Sequence, residues 1–234
     1  MRKSLGRSVL LLSFASILFL GGCYWPEKFT ASLNIEKDKS FVFTYNGILA
    51  FAPVVAEIAK SGKSALDDEK KIRGISEDLK KDTHFKSVVY VGKGRFQVKY
   101  EKAGMIDHPI QIFGDFLPLI TIAPSGEGVT VKGMSVSGKE QKELTEIGLG
   151  FDGKLKILSA LKIVEQNATS VPPLGLGAYE WNLNWDMKGA PLLKTSGEPV
   201  SKILSPLFVL SALGVILSVS VVLMIVKKRR SNIE

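Results

Sequence analysis

The most reactive side chain in this 234-residue chain is a lone thiol. Cys23 closes the run Leu20-Gly21-Gly22-Cys23 directly behind an apolar segment, and no second cysteine exists in the chain to pair with it. A thiolate is a strong nucleophile, so a thiol held at the end of a membrane-inserting segment is placed for acylation rather than for an intrachain disulfide. The rest of the chemical inventory is thin. His84 and His108 are the two histidines, and neither sits in an HExxH pattern. Asp107-His108-Pro109 reads as a turn whose residues suit its backbone. The run Gly133-Met134-Ser135-Val136-Ser137-Gly138 approaches a G-x-S-x-G elbow, but its closing glycine comes one position late. Paired carboxylates at Asp67 and Asp68, or at Glu140 and Glu143, fall on charged helical stretches where solvation explains them. The expectation is a protein that is not an enzyme and holds no metal or cofactor.

The elements that position Cys23 are a targeting device. Arg2, Lys3 and Arg7 form a positive start, and residues 9–20 are apolar over a length that suits a signal peptide and is short for a membrane span. With Leu at −3 and Gly at −2 and −1, the run ending in Cys23 resembles the lipobox of bacterial lipoproteins, in which that thiol is diacylated and becomes the mature N-terminus. An ordinary signal peptide followed by an accidental cysteine is the competing reading. A second anchor follows at the other end. Residues 203–226 carry no charge and are rich in Leu, Val and Ile, more than the roughly 20 residues a helix needs to cross a bilayer. Lys227, Lys228, Arg229 and Arg230 come next and belong in the cytoplasm by the positive-inside rule. The stretch Leu193-Lys194-Thr195-Ser196-Gly197 lacks the proline of a sortase signal, so the tail reads as an anchor. The expected location is the bacterial cytoplasmic membrane, with the folded domain on the extracytoplasmic side. In such a host the sequon Asn167-Ala168-Thr169 is a chance match.

The formal charge of +8 suggests a nucleic-acid binder only until it is divided along the chain. Between the anchors, 24 Lys and Arg face 22 Asp and Glu, so the basicity lies at the two ends as a topology signal. Residues 93–100, Lys-Gly-Arg-Phe-Gln-Val-Lys-Tyr, echo an RNA-binding strand pattern. They carry Arg95 and Gln97 where base-stacking aromatics belong, so no nucleic acid is expected as a partner.

About 175 residues between the anchors suit one domain. The boundaries expected are a lipoprotein signal peptide at 1–22, a lipidated linker at 23–29, an α+β domain at 30–197, a linker at 198–202, a transmembrane helix at 203–226 and a basic cytoplasmic tail at 227–234. Alternating patterns predict an opening hairpin at residues 30–45 and a second at 85–101 around Gly92-Lys93-Gly94. Further strands are predicted at 119–122, 129–136, 154–158, 161–165 and 179–185. Residues 64–82 are the clearest helix, with acidic residues early, Lys80 and Lys81 late, and a narrow stripe of Leu66, Ile72, Ile75 and Leu79. The fold class expected is α+β, a mostly antiparallel sheet covered by this one main helix, plus the C-terminal transmembrane helix.

Two segments are more apolar than their turns predict: residues 105–123, with Phe113 and Phe116, and residues 171–178, with Leu174 and Leu176. They read either as loops covering the core or as a greasy mouth. Tyr179, Trp181 and Trp185 are all odd-numbered on one strand, hence on one face, either as core or as a ligand platform. The candidate ligand-binding set is therefore Phe113, Phe116, Leu174, Leu176, Trp181 and Trp185, beside the lipidation site Cys23. In its order of lipobox Cys23, strand-rich domain, Gly153 to Ile157 strand, Tyr179-Glu180-Trp181 strand, membrane helix and basic tail, the chain resembles the LppM-type lipoproteins. That resemblance implies a mixed α/β envelope protein that contacts lipids or glycolipids, and it supplies no catalytic residues. The functional expectation is a membrane-anchored, non-enzymatic module for an envelope lipid, glycolipid or hydrophobic ligand. The alternative is an accessory or assembly subunit of a membrane protein complex, suggested by Gly214 among Ser211, Ser218 and Ser220 on the membrane segment.

Overall fold

The computed structural model describes residues 24–61, 69–113, 118–175 and 177–200, with no account of the side chains of 61 and 69–71. Cys23, Phe116, Leu176 and the apolar run at 203–226 lie outside the described residues. Among those described, no helix is long and apolar enough to cross a membrane.

The opening hairpin forms as its alternation dictates and is longer than expected. β1 (Tyr24–Ile35) and β2 (Ser40–Phe51) have 12 residues each. Ala31, Leu33, Ile35, Phe41, Phe43 and Tyr45 turn inward, while Thr30, Asn34, Val42 and Asn46 stay exposed. Residues 24–29, expected as a linker, are thus the first half of a strand, because Trp25 and Phe29 are core residues. Two helices follow, α1 (Ala52–Ser61) and α2 (Glu69–Lys81), then the second hairpin, β3 (Phe85–Gly92) and β4 (Arg95–Met105). The apolar stretch after it contains β5 (Ile110–Ile112) and β6 (Ile120–Ser125), followed by β7 (Gly128–Gly133). Helix α3 (Gly138–Glu146) starts on a capping box: Glu140 N–H donates to Ser137 Oγ and Ser137 N–H to Glu140 Oε2. The chain then runs through β8 (Asp152–Ser159), β9 (Leu161–Gln166), β10 (Tyr179–Asn184) and β11 (Leu192–Pro199).

The strands make two sheets. One has six strands in the order β10-β8-β1-β2-β4-β3, and the other five in the order β5-β6-β7-β11-β9. Every pairing is antiparallel except β1 with β8, where Lys28 to Ile35 run alongside Asp152 to Ser159. Buried residues of both sheets belong to one hydrophobic cluster. Phe113, at the end of β5, lies beneath Tyr45 and Tyr100 of the large sheet, and at the other side Trp181 Nε1 of β10 donates to Asn167 Oδ1 just past β9 at 2.8 Å. The sheets therefore stack face to face, with β5 under the β4-β3 side of the large sheet and β9 under its β10 side. The domain is mostly β with a few helices, as an α+β reading requires. The correction concerns what covers the large sheet: a second sheet does, while α2 packs against the outer strand β3 with Leu79 as its buried contact.

Candidate functional site

The register gives the sandwich two distinct ends. At the Tyr24 end, β1 begins one residue after Cys23. Trp25 stacks on Trp185 with ring centroids 5.7 Å apart, and Phe151 packs against both. Tyr24 lies against Phe51 at 5.3 Å. Beneath this cluster, Arg95 grips Glu27 with two charge-assisted bonds, Nε to Oε2 at 2.6 Å and Nη2 to Oε1 at 2.8 Å. Arg95 Nη2 also donates to the Gly148 carbonyl, Gly150 N–H donates to Glu27 Oε1, and Trp25 Nε1 donates to the Gly150 carbonyl. This clasp ties β1, β4 and the loop before β8 together. Burial, with the Glu27 charge nearby, pushes the Tyr45 phenol well above its ordinary range, and its hydroxyl donates to the Ile48 carbonyl.

The Ile35 end is where β8 turns into the second sheet. Ala160 N–H donates to the Ile35 carbonyl, Leu161 opens β9, and Pro199 of β11 pairs with Leu161. Apolar side chains are exposed here. In the outermost row of the large sheet, Leu158, Asn34, Val42 and Ala103 lie side by side on the outer face, and Leu158, Val42 and Met105 are 40–50% exposed. The segment before β10 makes a 3-10 turn at Pro173–Gly175. Leu174 occupies it at φ 57 and is 81% exposed, the most exposed large hydrophobic among the described residues. A leucine in the left-handed region costs roughly 1–2 kcal/mol.

Between the ends, the outer face of the large sheet is polar. Asn182, Lys154, Thr30, Asn46 and Lys99 follow one another across five strands, and Glu180, Lys156, Ser32, Thr44 and Glu101 form the next row. Lys156 and Lys154 both reach Glu180, at 2.8 and 3.8 Å, which holds its carboxyl below the usual range.

The candidate ligand residues separate in space. Phe113 packs its ring among Phe43, Tyr45, Phe85 and Tyr100. Trp181 is a 2% exposed core residue, and Trp185, past the end of β10, is half-buried against Trp25. Trp181 belongs to the interior while Phe113 and Trp185 pack partly buried against it, so the aromatic strand is not an outward platform. The physical reason is that the second sheet occupies the face a ligand would need. Leu174 alone of the described candidates points a large apolar side chain to solvent. Asp107 and His108 hydrogen-bond to each other on an exposed turn, and no group of three or more metal-ligating side chains exists among the described residues.

Three residues escaped the sequence reading. Glu27 looked like linker, Arg95 like a failed nucleic-acid contact, and Asn167 like a sequon. Asn167 instead joins the layers, accepting from Trp181 Nε1 and Leu192 N–H and donating Nδ2–H to the Ala190 carbonyl. An isolated Glu two residues before a strand-core phenylalanine was a weak signal for the first; nothing local marked the others.

The fold defines a two-layer β domain of mixed class whose accessible chemistry is hydrogen bonding, amine charge and exposed aliphatic surface. The NMR structure of the Mycobacterium tuberculosis LppM protein folded domain is similar to it, at 12% identity over 77% of this chain and 93% of that one, with a TM-score of 0.38. At that score the likeness carries no functional inference. No family model matches the chain, and no curated protein matches it.

Proposed function

We propose that this chain is an envelope lipoprotein of the bacterial cytoplasmic membrane. Cys23 is acylated, residues 203–226 cross the membrane, residues 227–234 lie in the cytoplasm, and the β domain works outside as a non-enzymatic module that contacts envelope lipid, glycolipid or another hydrophobic ligand. The observation that carries the lipid reading is Leu174. A solvated leucine held at positive φ gains nothing for the fold, since glycine would relieve the strain and asparagine would lower it. Its exposure, with Val171 three residues earlier also half exposed, fits a side chain whose partner is apolar.

The test is photo-crosslinking in membranes. Full-length protein reconstituted with a diazirine-tagged phospholipid should be labelled on the 171–175 segment, and Leu174→Asp should lose that labelling with its melting temperature unchanged. Undiminished labelling of a folded Leu174→Asp protein would sink the reading. A second reading is favoured by one observation, the small-residue group Ser211, Gly214 and Ser218 in the apolar run, which suits close helix approach. An assembly subunit would lose its partner in a pull-down when 203–226 is replaced by a generic polyleucine span.

A further inference from the structure

The two anchors proposed above leave the domain at opposite ends of its longest strand. β1 starts at Tyr24, one residue after Cys23, and runs 12 residues to Ile35, about 35 Å at roughly 3.3 Å per residue. The exit is at the far end, because Pro199 pairs with Leu161 and the adjoining Ala160 bonds to Ile35. Only residues 200–202 separate Pro199 from the apolar run beginning at 203. Three extended residues reach about 10 Å, and a helical turn of the run left outside the bilayer adds about 5 Å. A domain standing upright on its acylated end would hold Pro199 about 20 Å beyond that reach. Both anchors can be satisfied only if the long axis of the sandwich is tipped down.

We infer that the domain lies flat on the membrane, with its strands parallel to the bilayer and the outer face of the six-stranded sheet turned toward anionic lipid headgroups. This rests on the double anchor. The choice of face rests on composition: Lys28, Lys86, Lys99, Lys154 and Lys156 stand on it against Asp152, Glu101 and Glu180, and its Ile35 end carries Leu158, Val42 and Met105. Amines flanked by exposed aliphatic side chains suit a headgroup layer with acyl chains beneath it. No helix among the described residues covers this face. Two shallow grooves of about 530 and 540 Å³ lie on it, both lined by Thr30 and Asn46 and each bordered by lysines.

The experiment uses the full chain in vesicles of phosphatidylethanolamine and phosphatidylglycerol. An acylated Cys23 is a thioether, so an introduced cysteine is the one free thiol. Asn34→Cys and Asn182→Cys report the outer face of the large sheet, and Lys132→Cys the outer face of the other sheet. Each carries an environment-sensitive fluorophore, and nitroxide-headgroup lipid is the quencher. Intact mass and protease protection of the 227–234 tail are measured on the same samples. With both anchors present, several-fold stronger quenching at Asn34→Cys and Asn182→Cys than at Lys132→Cys supports the flat orientation, and adding Lys99→Glu with Lys154→Glu should reduce it. Equal or weaker quenching on the lysine face, with both anchors verified, overturns the orientation while leaving the anchoring intact. A mass without acyl groups, or a tail open to protease from outside, overturns the anchoring and the orientation with it.

Discussion

Removing the guanidinium of Arg95 gives the sharpest test of how the Tyr24 end is held. Glu27 has 9% of its side chain accessible and Arg95 26%, so Arg95→Met leaves a carboxylate in a nearly dry site with only Gly150 N–H as a donor. Breaking a buried ion pair costs about 3–5 kcal/mol, and the quarter-exposed Arg95 places this case at the lower limit, about 3 kcal/mol. For a domain of this size each kcal/mol moves the melting temperature by roughly 2–4 °C, so a fall of about 6–12 °C is expected. The assay is urea unfolding by far-UV circular dichroism, with tryptophan emission as a second probe because Trp25 is bonded into the same clasp. Arg95→Lys should fall between, since an ammonium cannot make the two-pronged contact. The paired change Glu27→Leu with Arg95→Met should recover most of the loss, because the cost comes from the orphaned charge. A loss below about 1 kcal/mol for Arg95→Met would place the pair among solvent-screened surface bridges and refute the reasoning.

Other perturbations follow from the same geometry. A methyl at Gly153 would lie 2.3 Å from the Phe29 ring, so Gly153→Ala should cost about 1–3 kcal/mol by displacing a core aromatic, read as a lower urea midpoint with an unchanged slope. Thr195 is buried and its hydroxyl accepts from Val129 N–H at 2.8 Å; Thr195→Val should lose about 1–3 kcal/mol by stranding that donor, and Thr195→Ser should retain most of it. Leu174→Gly should raise the unfolding free energy by up to about 1 kcal/mol through relief of the positive φ while weakening vesicle co-sedimentation, so stability and membrane contact move in opposite directions. Glu180 is held below its ordinary range first by its bond to Lys156. A depressed carboxyl stabilises the fold above its unfolded pKa and loses that contribution as pH falls through the folded one, so Glu180→Gln should flatten the stability curve on the acid side of the carboxylate range, with the difference from wild type shrinking in high salt.

The proposed membrane anchoring rests on sequence alone, on composition over continuous stretches outside the described residues: the apolar segment ending at Cys23, the uncharged run at 203–226 and the arginines and lysines after it. Strand alternation was legible in sequence because it too depends on continuous stretches. Period-two burial in β1, β2, β4 and β8 is a local consequence of one face being dry. Partner choice was not local. Nothing near Gly153 announces that β8 runs parallel to β1, since that pairing is set by chain segments more than a hundred residues apart. The short β5 and the late β11 make a second sheet only when stacked beneath the first. That stacking decides the fate of two apolar candidates: Phe113 and Trp181 pack against the core because a facing layer exists to receive them, while Leu174, in the 3-10 turn between β9 and β10, stays exposed. Residue type determined which side chains seek an apolar partner; the tertiary arrangement decided which of them find one within the protein.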